Sequence, residues 1–277
     1  MNTKIEIDNE KIYNGCLNTF VIARYKDNMD VGYNAIKYCN KYGCDGLILL
    51  DTFNNKPNTI FKMIFYNRDG TNGYMCGNGI RCLIRYAYEE NLLKANAIYK
   101  IDTFTGIKEC IITSISPFIV KVNLGLPSYD PTDVELNDSI EYFNRDLEVA
   151  SKSVKISCLF LTTHHAVVLL KSKDELEEIK KQKLGELIKD HPIFKKGINV
   201  DFVYAIDKDN IFLQTCERGV GYTLACGTGA SSSFAVLRRM GKVNDKVIAH
   251  FIHGSVNVYE NQKHEIILEG RADKGKQ

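Results

Sequence analysis

Several things are missing from this 277-residue chain, and each absence removes a class of protein. No block of like charge stands out: 36 basic residues face 34 acidic ones, for a formal charge of +2. That balance offers no electrostatic footprint for nucleic acid or an anionic membrane. The richest basic stretch, Lys180 to Lys189, includes Glu186 and reads as a solvated helix face. No run approaches the roughly 20 apolar residues of a membrane-spanning helix. The first residues, MNTKIEIDNEKIY, are polar and carry no apolar h-region, so no signal peptide is expected. Low-complexity segments are absent. Nine cysteines are present, yet none forms a CxxC pair, and no CxxxC pair accompanies histidines at zinc spacing. Nine thiols without a framework point to a reducing compartment. The expectation is a cytoplasmic protein that binds neither nucleic acid nor membrane and holds no metal.

What is present is ordinary in bulk: 44% apolar and 25% charged residues, enough chain for one large domain or two of usual size. KIEI and NTFVIARY read as strands, and Asp30 to Tyr42 as a polar helix. GLILL (Gly46–Leu50) reads as a buried strand, and TIFKMIFYNRDG alternates before a turn at Asp69-Gly70. YKIDTF, IKECIIT and IVKVNL follow as strands. Residues 124–138 hold Pro127 and Pro131 and form the candidate boundary. Beyond it come strand-like ISCLFLTT and AVVLL, a helical region from Asp174 to Lys189, then VDFVYAI and IFLQTCE. VIAHFI, VNVYE and EIILEG close the chain.

Each half contains a cysteine, then Gly-x-Gly, then a helical stripe. After Cys76 the stripe is Ile80, Leu83, Ile84 and Ala87; after Cys226 it is Ala230, Phe234, Leu237 and Met240. The pattern is a duplicated α+β architecture with one such helix per half. Glycines after a cysteine let the backbone turn tightly and approach a ligand. A helix start presents unpaired N–H groups and partial positive charge, which favours thiolate and seats a carboxylate. Two such starts sharing one carboxylate would place a sulfur on each side of the attached carbon. A thiolate could then remove the Cα proton while a thiol delivers one to the other face, with no cofactor. The other reading of two close thiols is a redox pair. Cys16, Cys39, Cys44, Cys110, Cys158 and Cys216 read as core filling.

MCGNGIRC and ERGVGYTLACGTGA resemble the two signature segments of the diaminopimelate epimerases. GCDGLILL, NRDG, VNLGLPSYDP and KLGELIKDHPIFKKGINVDFV extend the resemblance over nearly the whole chain. It implies two pseudo-symmetric domains, each a mixed, barrel-like sheet around a central helix. Their expected bounds are residues 1–123, joined by a last strand at about 268–277, and residues 124–267. It implies cofactor-independent interconversion of LL- and meso-diaminopimelate, with Cys76 and Cys226 as the acid/base thiols. Gly77, Asn78, Gly227 and Thr228 would hold the α-carboxylate. Asn67, Asn199, Glu217 and Arg218 match positions that bind the distal amino-acid end, and Asn18 matches the asparagine of the family's GLGNDF. A small amino-acid substrate and a homodimer are the implied partners.

The sequence departs from the pattern around the outer pocket. Thr19 replaces an aspartate, Asn72 a glutamate, and Tyr222 the glutamate of ERGxGET. Thr163 stands at a substrate-binding asparagine, and the new His164 precedes the retained His165. Loss of the asparagine amide would weaken a hydrogen bond to the distal carboxylate, by about 1.5–3 kcal/mol. His165 is expected to hold a thiol or Glu217 rather than transfer protons directly, and Tyr222 to pack. Three readings follow: diaminopimelate epimerase; the same two-thiol mechanism on another amino acid, such as lanthionine or histidine; and a thiol redox sensor or binding protein.

Overall fold

Alternating burial sets the strands, and an apolar stripe sets each long helix, in a computed structural model that describes residues 5–275. The chain divides into two compact units. One holds the described residues up to Asn123 and resumes at Glu269; the other is Leu124–Leu268.

In the first unit the order is β1 (Lys11–Gly15), β2 (Asn18–Arg24), α1 (Val31–Tyr42), β3 (Gly46–Asp51), β4 (Phe61–Asn67), α2 (Gly77–Glu89), β5 (Ile98–Asp102), β6 (Lys108–Ile115) and β7 (Phe118–Gly125). Helix α1 starts because the Asp30 carboxylate accepts the Tyr33 N–H, and it stops at Gly43, whose φ of 68° suits a residue without Cβ. Strand β3 is buried along its whole length because both faces are covered. Leu47 and Leu49 pack with Ala35, Tyr38 and Cys39 of α1, whereas Ile48 meets Gly79 of α2. In β4 the alternation buries Phe61, Met63 and Phe65, leaving Ile60 exposed. Residues 5–7 of KIEI form no strand, and Lys4 lies outside the described residues. The Ile7 N–H instead reaches the buried Asn34 side chain, so a side-chain bond replaces a ladder.

The second unit runs β8 (Arg145–Val149), β9 (Lys152–Leu161), β10 (Thr163–Leu169), α3 (Glu175–Lys181), α4 (Leu184–Lys189), β11 (Asn199–Ala205), β12 (Asn210–Glu217), β13 (Gly221–Tyr222), α5 (Gly227–Arg239), β14 (Lys246–His250) and β15 (Ser255–Glu260). Strand β16 (Ile266–Arg271) begins in this unit and ends in the first, followed by β17 (Asp273–Lys274). The helical region expected from Asp174 to Lys189 is two short helices. Lys183 breaks it, with a left-handed φ of 53°.

Strand pairing repeats between the units. In the first, β1–β2, β3–β4 and β5–β6 are antiparallel, while β2–β3 and β4–β5 are parallel. In the second, β9–β10, β11–β12 and β14–β15 are antiparallel, while β10–β11 and β12–β14 are parallel. Each parallel pair needs a helical crossover, and the second crossover in each unit is the helix that opens with Cys-Gly-x-Gly. In the first unit the returning segment closes the sheet: the Ala272 N–H donates to the Phe118 carbonyl at 3.1 Å, and the Gly275 N–H to that of Ile12 at 2.8 Å. Among the described residues, no helix is long and apolar enough to cross a membrane.

Helix α5 is held mainly by its apolar stripe, in which Ala230, Phe234 and Leu237 are fully buried. Phe234→Ala should therefore cost about 3–5 kcal/mol, seen as a lower urea midpoint at an unchanged slope.

Candidate active site

Both signature cysteines are helix N-caps. Cys76 has φ −134° and ψ 120°, and its sulfur accepts the Gly79 N–H at 3.4 Å. Cys226 has φ −124° and ψ 110°, and its sulfur accepts the Gly229 N–H at 3.3 Å. The second glycine of each motif is fixed by crowding. A Cβ on Gly79 would lie 2.7 Å from Ile48, and one on Gly229 only 2.3 Å from the Asp201 carboxylate.

In the first unit Asn78 is buried and donates from Nδ2 to the Asn18 Oδ1 at 2.6 Å. Asn78 Oδ1 in turn accepts from Arg81 at 2.9 Å. Asn67 is held in its own hairpin, where its Nδ2 donates to the Thr71 hydroxyl at 3.0 Å. Thr19 is accounted for locally: its N–H and hydroxyl both donate to Asp45, at 2.8 and 3.2 Å. Asn72 accepts the Tyr74 N–H at 2.8 Å.

The second unit gathers more buried polar groups. Strand alternation in β11 sends Val200 and Phe202 into the apolar cluster with Leu176 and Ile188, and Asp201 toward α5. Asp201 accepts from the Thr215 hydroxyl at 2.7 Å and pairs with His165 Nδ1 at 2.7 Å. A carboxylate only accepts, so Nδ1–H donates, and in the neutral ring Nε2 accepts from the Thr163 hydroxyl at 2.8 Å. The Thr163 and Thr228 hydroxyls are 3.5 Å apart, and Thr228 is 3.4 Å from the Cys226 sulfur. His165 thus holds Asp201 and Thr163, not a thiol or Glu217 as the sequence suggested. The reason is the parallel register that sets it directly beside Asn199, with Asp201 two residues on.

Glu217 is partly buried, and desolvation raises its carboxyl above the ordinary value although the Thr223 hydroxyl donates to it at 2.6 Å. Asn199 Oδ1 accepts the Arg218 N–H at 2.9 Å, and the Arg218 guanidinium reaches the Lys196 carbonyl at 3.2 Å. Tyr222 stacks on Phe202 with its hydroxyl close against Gly185, so it packs. His164 lies against Phe160.

One expectation is corrected. The helix start does not bring the Cys226 thiol toward neutrality. Burial, then the Glu217 and Asp201 carboxylates, holds it well above the ordinary thiol value, outweighing the Thr228 hydroxyl and Gly229 N–H. The site residues that sequence reasoning missed are Arg81, Asp201, Thr215 and Thr223. Arg81 and Asp201 did carry a signal, each being a charge inside an apolar stripe. Among the described residues, no group of three or more His, Cys, Asp or Glu side chains could hold a metal ion.

The fold is the α+β, diaminopimelate epimerase-like one expected from the sequence, and it has solved counterparts. The chain resembles a solved phenazine biosynthesis protein of the PhzF family from Bacillus anthracis (TM-score 0.66, 16% identity, 96% of each chain covered). It also resembles a probable proline racemase from Agrobacterium radiobacter (TM-score 0.68, 15% identity, 97% of this chain and 92% of that one). At these identities the likeness shows the fold alone. The family profile described as diaminopimelate epimerase matches residues 12–129 and 160–275. A diaminopimelate epimerase from Alkaliphilus metalliredigens is 30% identical over 279 aligned positions, covering 97% of this chain and 95% of that protein. The chain belongs to the diaminopimelate epimerase family and is an amino-acid epimerase.

The environment of Cys226 makes a pH prediction. Its raised value means the thiol stays protonated through neutral pH and ionises only in alkali. Glu217→Gln removes a neighbouring anion, which favours thiolate and should move the midpoint down. The Cys226 13Cβ shift followed against pH reads this directly; a midpoint unmoved by Glu217→Gln would contradict the assignment.

Proposed function

We propose that this enzyme interconverts LL- and meso-diaminopimelate by a two-base mechanism that uses its own thiols and no cofactor. The supporting observation is the repeated N-cap: in each unit a cysteine sulfur sits on the first turn of a buried helix and accepts a glycine N–H. Inversion at one carbon needs a base on one face and an acid on the other. Two like-built thiols supply one of each. In one direction Cys76 is the base and Cys226, whose burial and carboxylate neighbours favour the thiol form, is the acid. The Cys76 thiolate takes the Cα proton, and its sulfur becomes a thiol. The electron pair spreads into the α-carboxylate, stabilised by N–H groups of Gly77, Asn78, Gly227 and Thr228. Cys226 gives its proton to the opposite face and becomes the thiolate. The reverse reaction exchanges the roles.

In this reading Asn67, Asn199, Glu217 and Arg218 bind the distal zwitterion, with the Arg218 fork taking its carboxylate. The enzyme serves lysine and peptidoglycan synthesis in the cytoplasm. A second reading keeps the chemistry and changes the amino acid. It is favoured by Thr163, whose hydroxyl is engaged with His165 where a substrate amide contact was expected.

Proton exchange tests both. Reduced enzyme in D2O should place deuterium at Cα of diaminopimelate, and Cys76→Ala and Cys226→Ala should each lower epimerisation more than ~100-fold. Exchange seen only with lanthionine or L-histidine would move the substrate and leave the mechanism. No exchange with any of them would return weight to a redox or binding role.

A further inference from the structure

Arg81 lies fully buried on α2, five residues after Cys76, and the family chemistry gives it no task. Its guanidinium donates to the Gly77 carbonyl at 2.9 Å, to Asn78 Oδ1 at 2.9 Å and to the Arg271 carbonyl at 3.3 Å. Among the described residues no carboxylate pairs with it. A buried cation bonded only to neutral oxygens is costly unless its charge is used.

The direction of the bonds shows a use. A guanidinium has donors and no acceptor, so Asn78 must turn its oxygen toward Arg81. That turns the Asn78 nitrogen outward, where it donates to Asn18 Oδ1 at 2.6 Å. The Asn18 oxygen is thereby consumed, and its NH2 group must face elsewhere. Among the described residues that NH2 has no partner, and Asn18 is only half-buried, at the start of β2. Flipping either amide would set donor against donor. The chain Arg81–Asn78–Asn18 therefore has one polarity, and each bond polarises the next.

We propose that Arg81 is a positioning residue that fixes both amides, so that Asn18 presents two N–H donors to a carboxylate of the amino-acid substrate. The inference rests on the epimerase reading for its substrate, but the amide chain itself can be tested without turnover.

Steady-state kinetics on diaminopimelate decide the functional half. Asn18→Asp keeps the bond from Asn78 but offers a negative oxygen to the substrate. KM should rise at least ~10-fold, the loss of one hydrogen bond to a charged group, and should recover as pH falls and the new carboxyl is protonated. Arg81→Met should raise KM similarly with kcat little changed, and Arg81→Lys should restore part of it. Combining Arg81→Met with Asn18→Asp should be no worse than Asn18→Asp alone, because the two act on one chain. If Arg81→Met lowers Tm without moving KM, or if the two effects multiply, the proposal fails. Asn78→Asp guards against misfolding of the Arg81 variant: it gains an ion pair with Arg81 but cannot donate to Asn18. It should match the KM rise without loss of Tm, and an unchanged KM overturns the proposal. Side-chain amide exchange by NMR separates this inference from the reading beneath it. The Asn78 NH2 protons should be protected in the wild type and exposed in Arg81→Met while α2 backbone amides stay protected. Wild type that turns over no amino acid refutes the epimerase reading, whereas unprotected Asn78 protons in the wild type refute the chain.

Discussion

A helix that begins inside a protein leaves its first N–H groups without intrahelical partners, and burial forbids water from supplying them. Both helices that open with Cys-Gly-x-Gly, α2 and α5, begin this way. In each, cysteine sulfur takes one of these groups, a weak acceptor where serine or aspartate would be the usual cap. The glycines follow from the same constraint, since Ile48 on one side and Asp201 on the other press against the first turn. Covering strands must then carry whatever polar groups the helix start requires.

The charges near the two helix starts differ between the units. Around α2 the charge supplied is a cation: Arg81 lies within electrostatic reach of Cys76, Cys16 and Cys82. Around α5 the charges are carboxylates, Glu217 and Asp201, with His165 tied to the latter. Carboxylates beside a thiol disfavour its ionisation, as they do at Cys226. Two sites of matching backbone are thus made unlike by side chains.

The architecture was legible because it is written in periodicity. GLILL could only be a strand covered on both faces, and Ile80, Leu83, Ile84 and Ala87 could only be one buried helical stripe. The Cys-Gly-x-Gly motif marked both helix starts. Where reading failed, a tertiary partner had overridden local pattern. The KIEI segment looks like a strand, but its Ile7 N–H is taken by Asn34. The region after Asp174 looks like one helix, yet Lys183 adopts a left-handed turn that sequence does not announce. Ionisation was the least legible. A helix start predicts an acidified thiol, whereas the depth of Cys226 and its carboxylate neighbours are products of packing.

The departures from the family pattern gain a physical account on the same terms. Thr19 gives up a carboxylate but keeps two hydrogen bonds, because Asp45 across the β2–β3 connection supplies the acid in its place. Thr163 gives up an amide, and its hydroxyl instead occupies the open nitrogen of His165. Without that hydroxyl the imidazole Nε2 would be a buried acceptor with nothing to accept, at a cost of about 1–3 kcal/mol. At both positions the threonine hydroxyl is engaged with a neighbouring side chain, Asp45 or His165.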